Sequence, residues 1–208
     1  MQPPDSTVRV LDPLPVAVPR PLVLLRLGYR SATQVPAKTA RLLDEVLEAA
    51  RPRLAPRAVC AAFEVTRDAD GSVVIGARLR TASRSLGERL DGCSRAVLFA
   101  ATIGPALEEW VRTLDSEGEI TRALLADAVG SSAAIALGTA FESAVVGEFR
   151  DLGLLPTKRY APGYGDFELE CQAPLMQMVE AHRIGIALTE DHLMLPGKSI
   201  SGVVGGRG

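Results

Sequence analysis

Apolar residues at Leu42, Leu43, Val46, Leu47 and Ala50 repeat with the period of an α-helix, so residues 38–51 are expected to form an amphipathic helix with one buried stripe. Pro36 stands just before it. Pro52 and Pro56 prevent its continuation, because proline lacks the N–H that a helix interior needs. The pattern then changes period. Residues 57–65 read as an apolar strand, Asp70-Gly71 as a hairpin turn and residues 72–77 as the returning strand. A short polar helix is expected at about 83–90. The unbroken apolar run at 95–102 fits a central strand covered on both faces. Thr102-Ile103-Gly104-Pro105 closes that strand and opens a helix to about residue 113.

Ser116-Glu117-Gly118-Glu119 has the spacing of a capping box, and the helix behind it is expected to run to residue 150 before Gly153 and Pro156 end it. Its middle is built from Ala, Gly and Ser, including Gly130 and Gly138, which lets a neighbouring element or a ligand approach closely. A loop follows at 159–168, then a helix at about 169–182 and a further segment at 188–194. At the other end, the first 36 residues are rich in proline and carry two apolar runs, 8–11 and 21–27. They read as an arm of one or two extended pieces along an edge of the sheet, ended by a turn at Leu27-Gly28-Tyr29-Arg30. Strands and helices do not alternate regularly, so the expected class is α+β in one domain, with the arm at 1–36 packed on residues 37–208.

Composition narrows the function classes. The 23 basic and 25 acidic residues nearly cancel, which gives no electrostatic reason to expect nucleic acid or an anionic membrane. No apolar run reads as long enough to span a bilayer, and the start has no basic region followed by an apolar one, so a cytoplasmic protein is expected. Cys60, Cys93 and Cys171 are widely spaced and odd in number, which fits core residues better than a zinc site or a disulfide framework.

The chemistry gathers near the C-terminus. Arg159-Tyr160-Ala161-Pro162-Gly163-Tyr164-Gly165-Asp166-Phe167 places a guanidinium, two phenol rings and an acid around a thin, glycine-punctuated loop. A small ligand with a carboxylate and a planar base could use all four groups. Leu195-Pro196-Gly197-Lys198-Ser199 ends like a phosphate loop but lacks its first glycine, so a nucleotide-phosphate site is rejected. His182 and His192 have no ligand or triad spacing. Asp166, Glu168 and Glu170 fit the acidic start of a solvated helix better than a carboxylate catalyst.

Taken in order, three segments carry a resemblance. They are Arg159-Tyr160-Ala161-Pro162-Gly163-Tyr164, Leu188-Thr189-Glu190 some two dozen residues later, and Pro196-Gly197-Lys198-Ser199-Ile200-Ser201-Gly202. Together with Gly92-Cys93 and the run from Val97 to Gly104, they resemble the activation domain of cobalamin-dependent methionine synthase, and more closely its small free-standing relatives. The resemblance covers roughly residues 27–205. It implies an α+β domain with a twisted antiparallel sheet and S-adenosylmethionine in a shallow groove.

The implied task is repair of the corrinoid, in which one electron and a methyl group from S-adenosylmethionine return cob(II)alamin to methylcobalamin. By the same resemblance, Arg159 would bind the methionyl carboxylate and Ala161 would offer backbone hydrogen bonds to the adenine end. Gly163 would allow close approach, and Tyr164 would line the place where the methyl group is transferred. The family's acid on the central helix has no counterpart at 134–139; Glu142 is the shifted substitute. No Asp-x-His-x-x-Gly pattern is present, so the cobalamin is expected on a partner, a cobalamin-dependent methionine synthase or other corrinoid protein. A flavodoxin or ferredoxin would supply the electron. The other reading is a non-catalytic module that docks on a corrinoid protein and regulates it without binding S-adenosylmethionine.

Overall fold

The computed structural model of the chain describes residues 7–31, 35–76 and 78–208. The opening residues 1–6 and Ala77, at the end of the expected hairpin, lie outside that description. The central strand is β5 (Cys93–Thr102), whose last seven residues are all buried. β2 (Arg57–Arg67) flanks it on one side and β9 (Ser199–Arg207) on the other, both antiparallel. On the far edge of β2, two short strands share its length. β1 (Arg9–Leu11) pairs with residues 58–60 and β3 (Val73–Ile75) with residues 65–67. β4 (Leu79–Thr81) follows β3, and the two-residue β6 (Leu155–Pro156) lies outside β9, giving the order β4-β3-β2-β5-β9-β6. β7 (Ala187–Leu188) and β8 (Met194–Leu195) form a separate hairpin.

Alternation along the strands sends side chains into two cores. Ala58, Cys60, Val97, Phe99 and Ala101 face a helical layer made of α1 (Arg20–Arg26), α2 (Ala37–Ala50), α4 (Ala106–Ser116) and α5 (Ile120–Asp151). Phe99 of β5 stacks on Phe141 of α5 with centroids 4.1 Å apart. Val59, Ala61, Ala96, Leu98 and Val203 face the opposite side, covered by α3 (Arg84–Arg89), α6 (Gln172–Met178) and two 3-10 turns. The expected α+β class, an antiparallel sheet flanked by helices, is the fold observed.

Four local expectations are corrected. Residues 20–26 form a helix, not an extended piece: the run Leu22-Val23-Leu24-Leu25 is too short for its periodicity to tell helix from strand, and Pro21 sits in the first turn, where proline fits a helix. Ser116 is no cap. It is the last residue of α4 and donates its hydroxyl to the Thr113 carbonyl at 2.7 Å, while Gly118 turns the chain with φ 79°. The expected helix at 169–182 is broken, because Glu180 adopts φ 54° after α6 and a 3-10 turn at Ala181–Ile184 follows. Finally, α5 is, by length and composition, apolar enough to cross a membrane, although most of its apolar stretch is buried inside the protein. Its apolar character is that of a core helix, with Leu125, Val129, Ala133, Leu137 and Phe141 all buried.

Candidate functional site

β9 creates the site by being only partly covered on its outer side. β6 pairs with Gly206 and Arg207, and Tyr160 forms a single bridge to Val203, with N–H···O distances of 3.0 and 2.7 Å in the two directions. Beyond that bridge the 160–167 loop turns away, and a groove of about 490 Å³ opens along β9. Arg159, Tyr160, Ala161, Pro162 and Tyr164 of the loop line it, together with Arg89 of α3. Leu169, Gln172 and Met194 line it as well, and β9 contributes Ser199, Ile200 and Ser201 as its base strand.

The loop is held by hydrogen bonds to an element far away in sequence. The Asp166 carboxylate accepts from the Ser83 hydroxyl at 2.8 Å and from the backbone N–H groups of Arg84 and Ser85 at 2.7 and 3.2 Å. It therefore shares with Ser83, which accepts from Leu86 N–H at 3.1 Å, the capping of the six-residue α3. The Ser83 hydroxyl is the leading cause, with Ser85 next, that holds the Asp166 carboxyl down at about 2. In return α3 supplies Arg89, whose guanidinium lies 4.6 Å from the centre of the Tyr160 ring. Tyr160 packs against Phe167 and donates its hydroxyl to the Tyr164 carbonyl at 2.9 Å.

Arg159 is the chemically distinctive member. Its side chain passes over β9 toward α5, and a Cβ at Gly202 would lie 3.1 Å from its Cγ. Its Nη1 is buried and has no hydrogen-bond partner among the described residues. A buried guanidinium nitrogen without an acceptor is costly, and a carboxylate is the acceptor whose geometry best matches it. Gly138 makes room for that group, since a Cβ there would stand 1.7 Å from Nη1. The Glu142 carboxylate accepts from the backbone N–H of Arg159 at 3.0 Å, so it holds the start of the loop.

Of the residues singled out in the sequence, Arg159, Ala161 and Tyr164 meet in the groove. Glu142 and Gly163 stand behind it. Gly163 adopts φ 87° and donates to the Phe167 carbonyl at 2.7 Å, which closes the loop on itself. Lys198 is engaged elsewhere: its ammonium lies 2.7 Å from both Asp127 and Ser131 of α5, and its backbone N–H donates to Glu108 of α4. Arg89 and Gln172 were not found from sequence, and Ser201 appeared only within the 196–202 segment, without a role. Gly138 was visible only as one of many small residues in α5.

A family model described as "Vitamin B12 dependent methionine synthase, activation domain" matches residues 91–207, more than half of the chain. The chain belongs to that family. The matched part of the chain contains β5, α5, the Arg159 loop and β9, while Arg89 of α3, which also lines the groove, lies outside it. Among solved structures, it resembles one titled "Crystal Structure of the MetH Reactivation Domain bound to AdoHcy", with TM-score 0.71 and 16% identity. That match covers 100% of this chain and 81% of the other. No curated protein matches this chain.

Proposed function

We propose that the groove binds S-adenosylmethionine and that the protein supports reductive remethylation of cob(II)alamin carried by a separate cobalamin-dependent methionine synthase or another corrinoid methyltransferase. The observation that carries this reading is Arg159, which lines the groove and whose Nη1, buried against Gly138, has no hydrogen-bond partner among the described residues. Family membership and the AdoHcy named with the similar MetH structure agree with it.

When bound, the sulfonium would supply an activated methyl group and leave as the S-adenosylhomocysteine thioether, and one electron from a flavodoxin or ferredoxin would complete the return of cob(II)alamin to methylcobalamin. The chain's own contribution is binding and orientation, which can lower a barrier without any acid or base. Arg159 receives the methionyl carboxylate, and Glu142 holds Arg159 in place through its backbone N–H. Ala161 offers main-chain groups to the base. Gly163 lets the loop fold tightly beneath it, and Tyr164, 66% exposed, stands at the mouth where a corrinoid on another protein would arrive.

Calorimetric titration with S-adenosylmethionine and with S-adenosylhomocysteine tests the reading. Saturable one-site binding to both is expected, weakened by about 1.5–3 kcal/mol in Arg159→Ala, the usual worth of a hydrogen bond to a charged group. Absence of binding to the intact protein, with or without a cobalamin-loaded partner, would leave the docking-module reading.

A further inference from the structure

The direction of the hydrogen bonds along β9 decides what its base presents to the groove. Val203 exchanges both of its main-chain bonds with Tyr160, so its N–H and C=O point away from β5. Thr157 N–H donates to the Gly205 carbonyl on the same outer side, whereas the Lys198 carbonyl accepts from Ile103 on the β5 side. In an antiparallel ladder these directions alternate residue by residue. Ser201, two residues before Val203 and paired in register with Ala100, therefore directs its N–H and C=O outward. Among the described residues no strand lies there: β6 and the Tyr160 bridge stop at Val203, and Ser201 is part of the groove.

The Ser201 side chain leaves this pair of groups free for a ligand, because its hydroxyl donates instead to the buried Gln172 side chain at 2.7 Å. Arg159 runs beside the same position. Its Cγ lies next to Gly202, while its Nη1 and the Ile200 Cδ1 both crowd the point where a Cβ of Gly138 would stand.

A strand residue with an unpaired N–H and C=O on one side is complementary to an α-amino acid head. The ammonium of such a head donates and its carboxylate accepts, at about the spacing of one residue in an antiparallel pair. We infer that Ser201 recognises the amino-acid end of the ligand through its main chain. Its carbonyl accepts from the α-ammonium, and its N–H shares the carboxylate with Arg159. The ligand head thus occupies the rung next to the Tyr160–Val203 bridge. This assignment rests on the proposed S-adenosylmethionine site and adds to it the group that reads the ammonium.

The experiment is amide hydrogen exchange of the intact protein, followed at Ser201 by NMR, in the presence of S-adenosylhomocysteine or 5′-methylthioadenosine at saturation. The second compound keeps the base and sugar but lacks the amino-acid head. Exchange at Ser201 is expected to slow about tenfold or more with S-adenosylhomocysteine and to stay unchanged with 5′-methylthioadenosine. A parallel titration with the desamino analogue of S-adenosylhomocysteine should show binding weakened about tenfold. S-Adenosylhomocysteine binding with no change at Ser201, or equal protection by both compounds, would overturn the inference and leave the proposed function standing. Failure of S-adenosylhomocysteine to bind would overturn both.

Discussion

The guanidinium of Arg159 occupies the space that any side chain at Gly138 would need: a Cβ at 138 would lie 1.7 Å from Nη1 and 2.7 Å from Ile200 Cδ1. Gly138→Ala should therefore act on the site without touching the ligand. Alanine is favoured over glycine in a helix interior by up to about 1 kcal/mol, so α5 itself is not weakened by propensity. The guanidinium must move, however, and S-adenosylmethionine affinity is expected to fall about as far as in Arg159→Ala, by roughly 1.5–3 kcal/mol. Calorimetry and thermal unfolding of both variants check this. Unchanged affinity in Gly138→Ala would separate the Arg159 position seen here from ligand binding.

Asp166 gives a prediction in pH. Its folded carboxyl sits at about 2, below the value of about 3.9 for an unperturbed aspartate, so its contribution to stability is present above the unfolded value and is lost as pH falls through the folded one. Between about pH 4 and pH 2 the 160–167 loop should therefore loosen from α3. Asp166→Asn should remove that part of the acid dependence while its amide oxygen can still accept from the start of α3, whereas Asp166→Ala should also loosen the loop from α3 at neutral pH. Carboxyl-carbon NMR titration of the native protein and urea unfolding of the variants measure the two effects. A carboxyl that titrates near 4 would contradict the capping geometry.

Tyr164 is largely exposed, and its ring, 6.4 Å from that of Tyr160, forms part of the mouth of the groove. Tyr164→Phe keeps the ring and should bind S-adenosylmethionine within about 0.5 kcal/mol of the native protein, the range expected for surface changes that leave packing intact. Tyr164→Ala should impair reactivation of a corrinoid partner more than it impairs binding. A complete loss of binding in Tyr164→Phe would mean that the hydroxyl holds the ligand directly.

The stacked pair Phe99 and Phe141, both fully buried, joins the central strand to the central helix. Truncating either to alanine should cost about 3–5 kcal/mol through lost burial and a cavity. Equilibrium denaturation at constant slope is the measurement, and a cost below about 1 kcal/mol would indicate that the interface repacks.

The sequence revealed those parts of the fold whose pattern is local. α2 announces itself by a 3.6-residue stripe, and β5 by a continuous apolar run. β9 was hidden because Gly202, Gly205 and Gly206 weaken any strand signature, although each allows a close approach: a Cβ at Gly205 would lie 2.6 Å from Leu90, and one at Gly206 would lie 2.7 Å from Phe149. β4, at three residues, was too short to read. In the site, the Arg159 loop was visible as a motif. The capping of α3 by Asp166 and the cradle at Gly138 depend on contacts between distant parts of the chain, and no spacing rule reports those.

β9 ends at residue 207, yet it lies beside the central strand and carries the base of the groove. During synthesis, β2 and β5 can pair well before β9 emerges, leaving the outer edge of β5 open until residues 199–207 arrive. The Arg159 loop has nothing to bridge to in that interval, and its Asp166 cannot on its own fix the wall of a groove that has no base. Completion of the sheet and completion of the groove therefore coincide: the groove acquires its base only when β9 pairs with β5.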